Sequence, residues 1–250
     1  MKNSIIADLI RIQKKISFIV LLGVQLVFLA GVEGVSMIIK LGDDTSKNFE
    51  MFTGLGAGPM ALLIGIPVFL AIYSDDFKSH AMQTAIGRGL SRSKLVWARF
   101  IEVVLVIFES TLAVTIVQTG MALIVGVNAS TIGSMCLDRL VDMMTMISSI
   151  TMFIILVYGM QSAVLALVMY ILVGGGFVSG VLASISALAP FLAERNIHLE
   201  YITPGTLISS LAINPAYNYG WAIWLLVVVV YIIIPVWLTT VVFKKKELEF

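Results

Sequence analysis

The sequence predicts an all-α integral membrane protein with six transmembrane helices, and three observations lead to this prediction. Of the 250 residues, 59% are apolar and only 12% are charged, whereas a soluble domain has about 45–50% apolar and about 25% charged residues. The mean hydropathy is +1.03. The apolar residues are grouped in long runs between charge clusters, and about 20 such residues suffice to cross the roughly 30 Å of bilayer hydrocarbon. A single protein core could not hide this much apolar surface from water, so we expect lipid to surround the chain.

Residues 1–250 are predicted to form one transmembrane domain that begins with an interfacial helix over residues 1–15. The apolar residues of this segment recur near helical spacing, and its charged residues fall mostly between them. A frayed cytoplasmic extension of the first span is the alternative. Four transmembrane helices are then assigned to residues 16–39, 54–73, 100–127 and 221–243.

The stretch 143–193 contains no charged residue and is long enough for two further spans. We place these spans at residues 143–173 and 175–193. The turn between them has two candidate positions, because both Tyr158–Ser162 and the glycine triplet Gly174–Gly176 interrupt the apolar pattern. Of the two positions, we favour the glycine triplet.

The basic residues predict that both termini face the cytoplasm, because Lys and Arg accumulate in short loops on the inner side of a membrane. Twelve of the sixteen lie on the side of the termini, namely Lys2, Arg11, Lys14, Lys15, Lys78, Arg88, Arg92, Lys94, Arg99 and the tail residues Lys244, Lys245 and Lys246. The four on the opposite side are Lys40, Lys47, Arg139 and Arg195. We do not expect a cleaved signal peptide, since the first apolar stretch exceeds the usual length of about 7–15 residues and no A-x-A site follows.

The cytoplasmic segment 74–99 is far longer than a turn between antiparallel helices requires. Its first residues, Ser74, Asp75 and Asp76, are typical of a helix start, and Gly87 and Gly89 are typical of a helix end. The apolar face of this helix would consist of Phe77, Ala81, Met82, Ala85 and Ile86. Ser91 would cap the helix that continues as the third span. We therefore predict a short amphipathic helix that presents Phe77, Met82 and Ile86 to the cytoplasm or the interface, with a plain membrane-surface helix as the alternative.

Residues 194–220 predict a broken re-entrant element on the outer side. The apolar run Leu207–Ile213 is too short to cross a bilayer, and it lies between Pro204-Gly205 and Asn214-Pro215. Aromatic rings that we expect at headgroup level follow it, namely Tyr217, Tyr219, Trp221 and Trp224. An ordered outer loop that rests on the bundle is the alternative.

Ionisable residues inside spans are costly and therefore point to function. Counting along the third span from Arg99 places Glu109 near the middle of the membrane. Glu102, on the same face, is close enough to Arg99 to form an interfacial ion pair. Glu109 could face a path for a cationic peptide, or it could be a protonated carboxyl bonded to a neighbouring Ser, Thr or Gln. We further predict a surface ion-pair cluster of Asp138, Arg139 and Asp142 at the mouth of the fourth span.

Small residues form two stripes at four-residue spacing on the fifth predicted span, and such stripes let another helix approach closely. The stripes are Gly176-Gly180-Ser184 and Gly175-Ser179-Ala183-Ala187. The approaching helix could belong to a second subunit or to the same one.

The order of these parts resembles that of the permease subunits of ABC transporters of the ABC-2 type. The similarity covers essentially the whole chain. The matching residues are the helical segment from Asp75-Asp76-Phe77-Lys78 through Gly89-Leu90-Ser91-Arg92-Ser93-Lys94 and the basic tail Phe243-Lys244-Lys245-Lys246-Glu247. Within this family, the chain is most similar to bacterial permeases that export lantibiotics, bacteriocins or other amphipathic peptides. One departure is that the turn between spans four and five has no basic residue, so a second inner contact with an ATPase is in doubt.

The resemblance implies a bacterial cytoplasmic membrane protein that works with two separate ABC ATPase subunits, which would bind ATP and Mg²⁺. The helix that couples it to an ATPase would comprise Asp75, Asp76, Phe77, Lys78, Ala81, Met82, Ile86 and Arg88. A second copy or a sister permease would pack against Gly176, Ser179, Gly180, Ala183 and Ser184. The translocation path for a peptide substrate would pass Glu102 and Glu109.

Other classes of function fit the sequence less well. The net charge of +1 argues against a nucleic-acid partner. The sequence contains no G-x-x-x-x-G-K-[ST] motif for binding nucleotide phosphates, so we expect no ATPase activity from this chain. Its two histidines, His80 and His198, lie outside the predicted spans and suit neither a buried catalytic serine nor a metal site. The main alternative is a stand-alone channel or a membrane assembly protein that does not use ATP.

Overall fold

The computed structural model describes residues 2–16, 18–20, 22–24, 26–28, 31, 62–74, 81–87, 89–189, 191, 194–195, 197–213 and 220–245. Within these ranges every regular element is helical. The helices are α1 (Lys2–Gln13), α2 (Leu62–Tyr73), α3 (Ala81–Gly87), α4 (Arg92–Val125), α5 (Ala129–Met160), α6 (Ala163–Gly174), α7 (Phe177–Leu188), α8 (Pro204–Ile213) and α9 (Gly220–Lys245). A π-helical turn at Leu70–Ser74 ends α2, and a 3-10 turn lies at Leu199–Ile202.

Three of these helices are long and apolar enough to cross a membrane, namely α4 with 34 residues, α5 with 32 and α9 with 26. The pair α6 and α7 meets the same test as a single bent span, with an angle of 49° between its two halves. The chain is therefore a helical protein suited to a membrane. The number of six spans stays a prediction, because residues 32–61 lie outside the described part of the chain.

Helix α5 is the centre of the bundle, since α4, α6, α8 and α9 all pack against it. The main apolar core lies between α2, α4, α5, α6 and the end of α9. A second, smaller core holds α8 against α5 and α9 through Ile208, Trp224 and Val228. The outward side of α9 exposes large apolar residues such as Leu226 and Trp237. Such a surface is typical of a helix that faces lipid.

The break between α5 and α6 lies at Gln161-Ser162, within the candidate position Tyr158–Ser162, so the favoured turn at the glycine triplet and the span 143–173 are wrong. Gln161 takes the left-handed conformation (φ 52°) that ends a helix, and the Ser162 side chain accepts from the Leu165 amide at 3.2 Å to begin the next one. Helix α6 then packs back against α5. The triplet only bends the chain between α6 and α7, where Gly176 has φ 80°.

The apolar run of the predicted outer element forms the short helix α8, which packs against α5 and α9. Its location on the outer side and its entry into the bilayer stay predictions. Trp224 packs against α8, and its predicted position at headgroup level stays a prediction. It is buried, and its indole N–H donates to the Ile208 carbonyl at 3.1 Å, because a buried indole needs an acceptor. Trp221 is exposed. Tyr217 and Tyr219 lie outside the described residues.

Helix α1 is a separate element and not a continuous extension of the helix that follows it. It ends at Gln13, and the chain leaves the helical conformation at Lys14 and Lys15 before helical residues resume. Its Ile12 side chain is buried in the main core, and α1 packs against α4. The location of α1 in the membrane interface stays a prediction.

Candidate functional site

The short helix α3 is joined to the long helix α4 by a tight, hydrogen-bonded connection. The amides of Gly89 and Leu90 donate to the carbonyls of Ile86 and Ala85 at 2.9 and 3.1 Å, and Gly89 takes a positive φ of 90° that suits glycine. Ser91 then caps α4 by accepting from the Lys94 amide at 3.4 Å. The predicted helix end and the predicted cap at Ser91 are thus confirmed.

The apolar face of α3 turns towards the bundle. Met82 is only 7% exposed and belongs to the main core, while Ala85 and Ile86 are half-buried against that core. The prediction that Met82 is presented outwards is therefore wrong, because the core beside α3 takes up this apolar side chain. The exposed positions of α3 are Thr84 and Gly87. Of the other predicted coupling residues, Ala81 begins α3, whereas Asp75, Asp76, Phe77, Lys78 and Arg88 lie outside the described residues.

Arg92, the first residue of α4, forms hydrogen bonds with the C-terminal end of α9. Its guanidinium donates to the carbonyl oxygens of Phe243 and Lys244 at 3.1 and 3.2 Å, and it lies 5.6 Å from the centre of the Phe243 ring. These carbonyls belong to the last turn of α9, where cations are favoured by the helix dipole. The end of α9 is thus fixed beside the start of α4 and the α3–α4 connection.

A buried charge cluster joins α1 to α4. The Arg99 guanidinium contacts the carboxylates of Glu102 at 2.6 Å and Asp8 at 2.8 Å, and the Glu102 side chain is 1% exposed. The predicted pairing of Glu102 with Arg99 is confirmed. Asp8 also pairs with Arg11 on its own helix at 3.5 Å. The cluster therefore fixes the position of α1 against α4.

Glu109 lies further along α4, on the side that α1 contacts. Both of its carboxylate oxygens accept from the side-chain amide of Gln13, at 3.0 and 2.9 Å. The partner is thus a glutamine, one of the residue types predicted. Gln13 comes from a different helix, so no local pattern around Glu109 could have identified it. The side chain of Glu109 is exposed, unlike that of Glu102.

The small residues of α7 lie on a largely exposed surface. Gly176, Gly180 and Ser184 are exposed, and Ser179 and Ala183 are half-buried. The Ser179 hydroxyl donates to the Gly176 carbonyl, and the Ser184 hydroxyl donates to the Gly180 carbonyl, both at 2.9 Å. Each hydroxyl therefore bonds to the backbone of the preceding turn and does not project outwards. A methyl group added to Gly180 would meet open space. These residues could therefore accept a helix from outside this chain.

A polar cluster that the sequence analysis missed joins α7 to the 3-10 turn. The Glu200 carboxylate accepts from the Ser186 hydroxyl at 3.2 Å and contacts His198 Nδ1 at 2.9 Å, while Ser186 Oγ accepts from the Leu199 amide. The pKa of Glu200 lies below its ordinary value of 4.5, chiefly because its own backbone amide donates to the carboxylate and further because His198 and Ser186 bond to it. The residues Ser186, His198 and Glu200 are spaced by 12 and 2 positions, a pattern that matches no motif.

This cluster does not have the geometry of a catalytic triad. Ser186 and His198 both bond to the same carboxylate, whereas a nucleophilic serine must donate to the histidine itself. Ser186 is also buried and shares its proton with the Leu182 carbonyl at 3.0 Å. The cluster is suited to a structural role, because its hydrogen bonds hold the 3-10 turn against α7 in the connection that leads to α8.

The predicted pair at Arg139 forms, but it is not a surface pair. Arg139 contacts the Asp142 carboxylate at 2.8 Å, and its side chain is 3% exposed. The reason is that α5 begins at Ala129, so Arg139 lies almost three turns inside the helix where α8 and α9 cover α5. Among the described residues, no three His, Cys or carboxylate side chains cluster closely enough to hold a metal ion.

Comparison with known proteins gives one family. No curated protein matches the chain, and no solved structure does. A family model described as a protein of unknown function, DUF2705, matches residues 18–248. This match includes all the elements described above except α1, and the chain therefore belongs to the DUF2705 family.

Proposed function

We propose that this chain is the membrane-spanning permease subunit of an ABC exporter of the ABC-2 type, which moves an amphipathic peptide with energy from a separate ATPase. The observation that carries the proposal is the rigid connection from α3 into α4, together with the Arg92 contacts to the end of α9. A partner that moves α3 would move the ends of two long apolar helices. This is the arrangement that a coupling helix requires.

The burial of Met82 bears on how α3 would transmit movement from an ATPase to the helix bundle. Because its apolar face is anchored in the main core, α3 would move together with the bundle and not swing independently. The surface left for an ATPase is the opposite side, around Thr84 and Gly87. The predicted coupling residues Asp75, Asp76, Phe77 and Lys78 precede α3 in the sequence and belong to the same proposal.

The proposed orientation places both termini in the cytoplasm, in the cell membrane of a bacterium. The contacts of Arg92 and Arg99 bring α1, the start of α4 and the end of α9 to one end of the bundle. Basic residues gather at that end, among them Lys94, Lys244 and Lys245. This distribution supports an inward-facing end, because cationic residues favour the inner leaflet.

The functional unit would contain two permease subunits, either two copies of this chain or this chain and a sister. The exposed small residues Gly180 and Ser184 of α7 would let the second subunit approach closely. The path for the peptide would pass the side of α4 that carries Glu102 and Glu109. Hydrolysis of Mg²⁺-bound ATP would take place on the two ATPase subunits.

Cysteine labelling tests the proposed orientation. The sequence has a single cysteine, Cys136, so Cys136→Ser gives a cysteine-free background. In that background, Thr84→Cys should react with an impermeant maleimide only from the cytoplasmic side. The matched variant Asn128→Cys, at the exposed turn after α4, should react only from outside. Labelling of Thr84→Cys from outside would exclude an ATPase contact at α3.

Co-purification of an ABC ATPase with this chain from native membranes tests the coupling itself. Thr84→Arg, on the exposed side of α3, should reduce the amount of ATPase retained, while Ser130→Arg at the start of α5 should not. Phe77→Asp is a second variant for the same surface. Met82→Asp is unsuitable because it would place a charge in the core. If the wild-type chain retains no ATPase, the alternative of a stand-alone channel or assembly protein is favoured.

A further inference from the structure

Helices α5 and α9 run side by side in the same direction. The Thr151 hydroxyl of α5 bonds to the Tyr231 carbonyl of α9, and further along both helices the Tyr158 and Phe243 rings are 4.8 Å apart. The two helices therefore begin at one end of the bundle and finish together at the other end, where Arg92 contacts α9. They provide two independent scales for the depth of α8 in the bundle.

Both scales place the start of α8 about 20 Å from the end of the bundle where α5 and α9 finish. A methyl group added to Gly205 would lie 3.5 Å from the Thr145 side chain of α5. The Tyr231 hydroxyl of α9 donates to the Ile202 carbonyl, just before α8, at 3.2 Å. Thr145 is 15 residues before the end of α5 and Tyr231 is 14 residues before the end of α9, and a helix rises by about 1.5 Å per residue.

The apolar part of α8 leads back towards the starts of α5 and α9. The Ile208 carbonyl accepts from the indole of Trp224, which lies seven residues before Tyr231 in α9. Ile208 also shares a small core with Val141, which lies four residues before Thr145 in α5. The deepest part of this connection is therefore the polar 3-10 turn and not the apolar run that follows it.

In a bilayer this turn lies within the hydrocarbon layer. Helix α9 carries no charged residue before Lys244, so the roughly 30 Å of hydrocarbon extends from about Lys244 towards the start of the helix. The turn, about 20 Å along this distance, is inside the layer and about 10 Å from its far boundary. It carries His198 and Glu200, whose side chains contact each other at 2.9 Å and are 49% and 17% exposed. Non-helical backbone and ionisable side chains are stable at this depth only where protein buries them or water reaches them.

We propose that the exposed side of this turn, formed by Ile197, His198 and Tyr201, lines a water-filled recess that opens at the end of the bundle where α5 and α9 begin. The other side of the turn is bonded to the bundle, since Ser186 of α7 accepts from the Leu199 amide. Water in the recess accounts for a half-exposed imidazole in a layer where exposure to lipid would be costly. The recess would leave about 20 Å of apolar barrier between its floor and the other end of the bundle. This inference goes beyond the proposed function and requires only that α5 and α9 cross the bilayer.

The test is to measure what surrounds a spin label on the turn. The full chain with Cys136→Ser and Tyr201→Cys is labelled with a nitroxide in detergent and returned to phosphatidylcholine nanodiscs. Paramagnetic resonance then measures how strongly the label is relaxed by a water-soluble nickel chelate and by molecular oxygen, which concentrates in lipid. The matched control is Val230→Cys, because Val230 is 41% exposed, as is Tyr201, and lies at the same depth in α9. Asn128→Cys, at the exposed turn after α4, is the reference for water.

The nickel chelate should relax the label at Tyr201→Cys about as strongly as the label at Asn128→Cys. It should relax that label about ten-fold more strongly than the label at Val230→Cys, because the lipid core excludes the chelate. Oxygen should give the reverse order for Tyr201→Cys and Val230→Cys. Ile197→Cys, where the native side chain is 40% exposed, is a second probe of the same turn if Tyr201→Cys fails to insert.

Three results would overturn the recess. Strong relaxation by the chelate at Val230→Cys as well would show that the turn lies outside the hydrocarbon. Strong relaxation of the Tyr201→Cys label by oxygen alone would show that lipid covers the turn. Weak relaxation of that label by both reagents would show that protein, such as a second copy of the chain, covers it. None of these results bears on whether an ATPase binds at α3, so the recess can fail while the proposed function stands.

Discussion

The hydroxyl of Thr151 in α5 donates to the carbonyl oxygen of Tyr231 in α9 at 3.1 Å, and it shares this proton with the Ser148 carbonyl of its own helix at 2.9 Å. Tyr231 lies four residues before Pro235, and because proline has no amide N–H, this carbonyl lacks its usual partner in α9. Thr151 is fully buried. A neighbouring helix therefore supplies the hydrogen bond that the proline removes, as is required inside a membrane.

Thr151→Val should destabilise the protein by about 1 kcal/mol, because the Tyr231 carbonyl loses its partner in a water-poor interior. In a Pro235→Ala background the same substitution should cost little, since α9 then has an amide to satisfy Tyr231. The free energy of reversible unfolding in detergent measures both values. Thr240→Val is the matched control, because that hydroxyl bonds only within its own helix. An equal cost in both backgrounds would contradict the assigned role of Thr151.

Arg99→Met should destabilise the protein by about 3–5 kcal/mol, because it leaves the buried Glu102 carboxylate without its cation. The double variant Arg99→Met with Glu102→Met should recover most of this loss, since no uncompensated charge then remains. Thermal unfolding of the purified protein measures the three stabilities. Hydrogen exchange in α1 should increase in both variants, because Asp8 loses its contact. Unchanged exchange in α1 would show that its docking does not depend on Arg99.

Gly65→Ala should destabilise the contact between α2 and α6. A methyl group at this position would come within 1.8 Å of the Tyr170 hydroxyl oxygen, and Tyr170 is fully buried and cannot swing away. Overpacking of this kind costs about 1–3 kcal/mol. The cost should fall in a Tyr170→Leu background, which removes the ring. Gly120→Ala is the control, since open space surrounds that glycine and the change should be neutral or slightly stabilising.

The Glu200 cluster should make the stability of the protein sensitive to acid. Because the folded state lowers the pKa of Glu200 below its ordinary value of 4.5, the carboxylate contributes stability above that pH. The contribution is lost as the pH falls below 4.5 and through the folded pKa. The melting temperature of the wild type should therefore exceed that of Glu200→Gln at pH 7, and the two should converge in acid. A constant difference from pH 7 to pH 3 would show that the carboxylate is not the group responsible.

Helices α4 and α9 could be predicted because each combines an apolar run with clear boundaries, whereas α5 begins at Ala129, well before the predicted span 143–173. The cap at Ser91 and the glycine at position 89 mark the start of α4 in the sequence as they do in the structure. The turn after α5 lies at one of the two candidate positions in the sequence, but the apolar pattern could not select it. It depends on a left-handed glutamine, Gln161, and left-handed residues other than glycine have no reliable sequence signal.

Contacts of the site residues could be predicted where both partners lie close together in the sequence, and could not be predicted where the partners lie far apart. The ion pair of Glu102 with Arg99 is three residues apart on one helix, so spacing reveals it. Gln13 and Asp8 reach α4 from more than ninety positions away, and only the packing of α1 brings them there. Likewise, the burial of Met82 and Trp224 depends on which neighbours cover them, which helical periodicity does not specify.

The Arg92 contacts to Phe243 and Lys244 also affect how the protein is handled in the laboratory. They place the C-terminal end of α9 beside the start of α4, so a fluorescent protein or affinity tag fused directly after Lys245 would begin close to α3, at its connection to α4. A bulky fusion there would obstruct any partner that approaches this helix. The exposed turn at Asn128, at the other end of α4, is the safer position for a reporter.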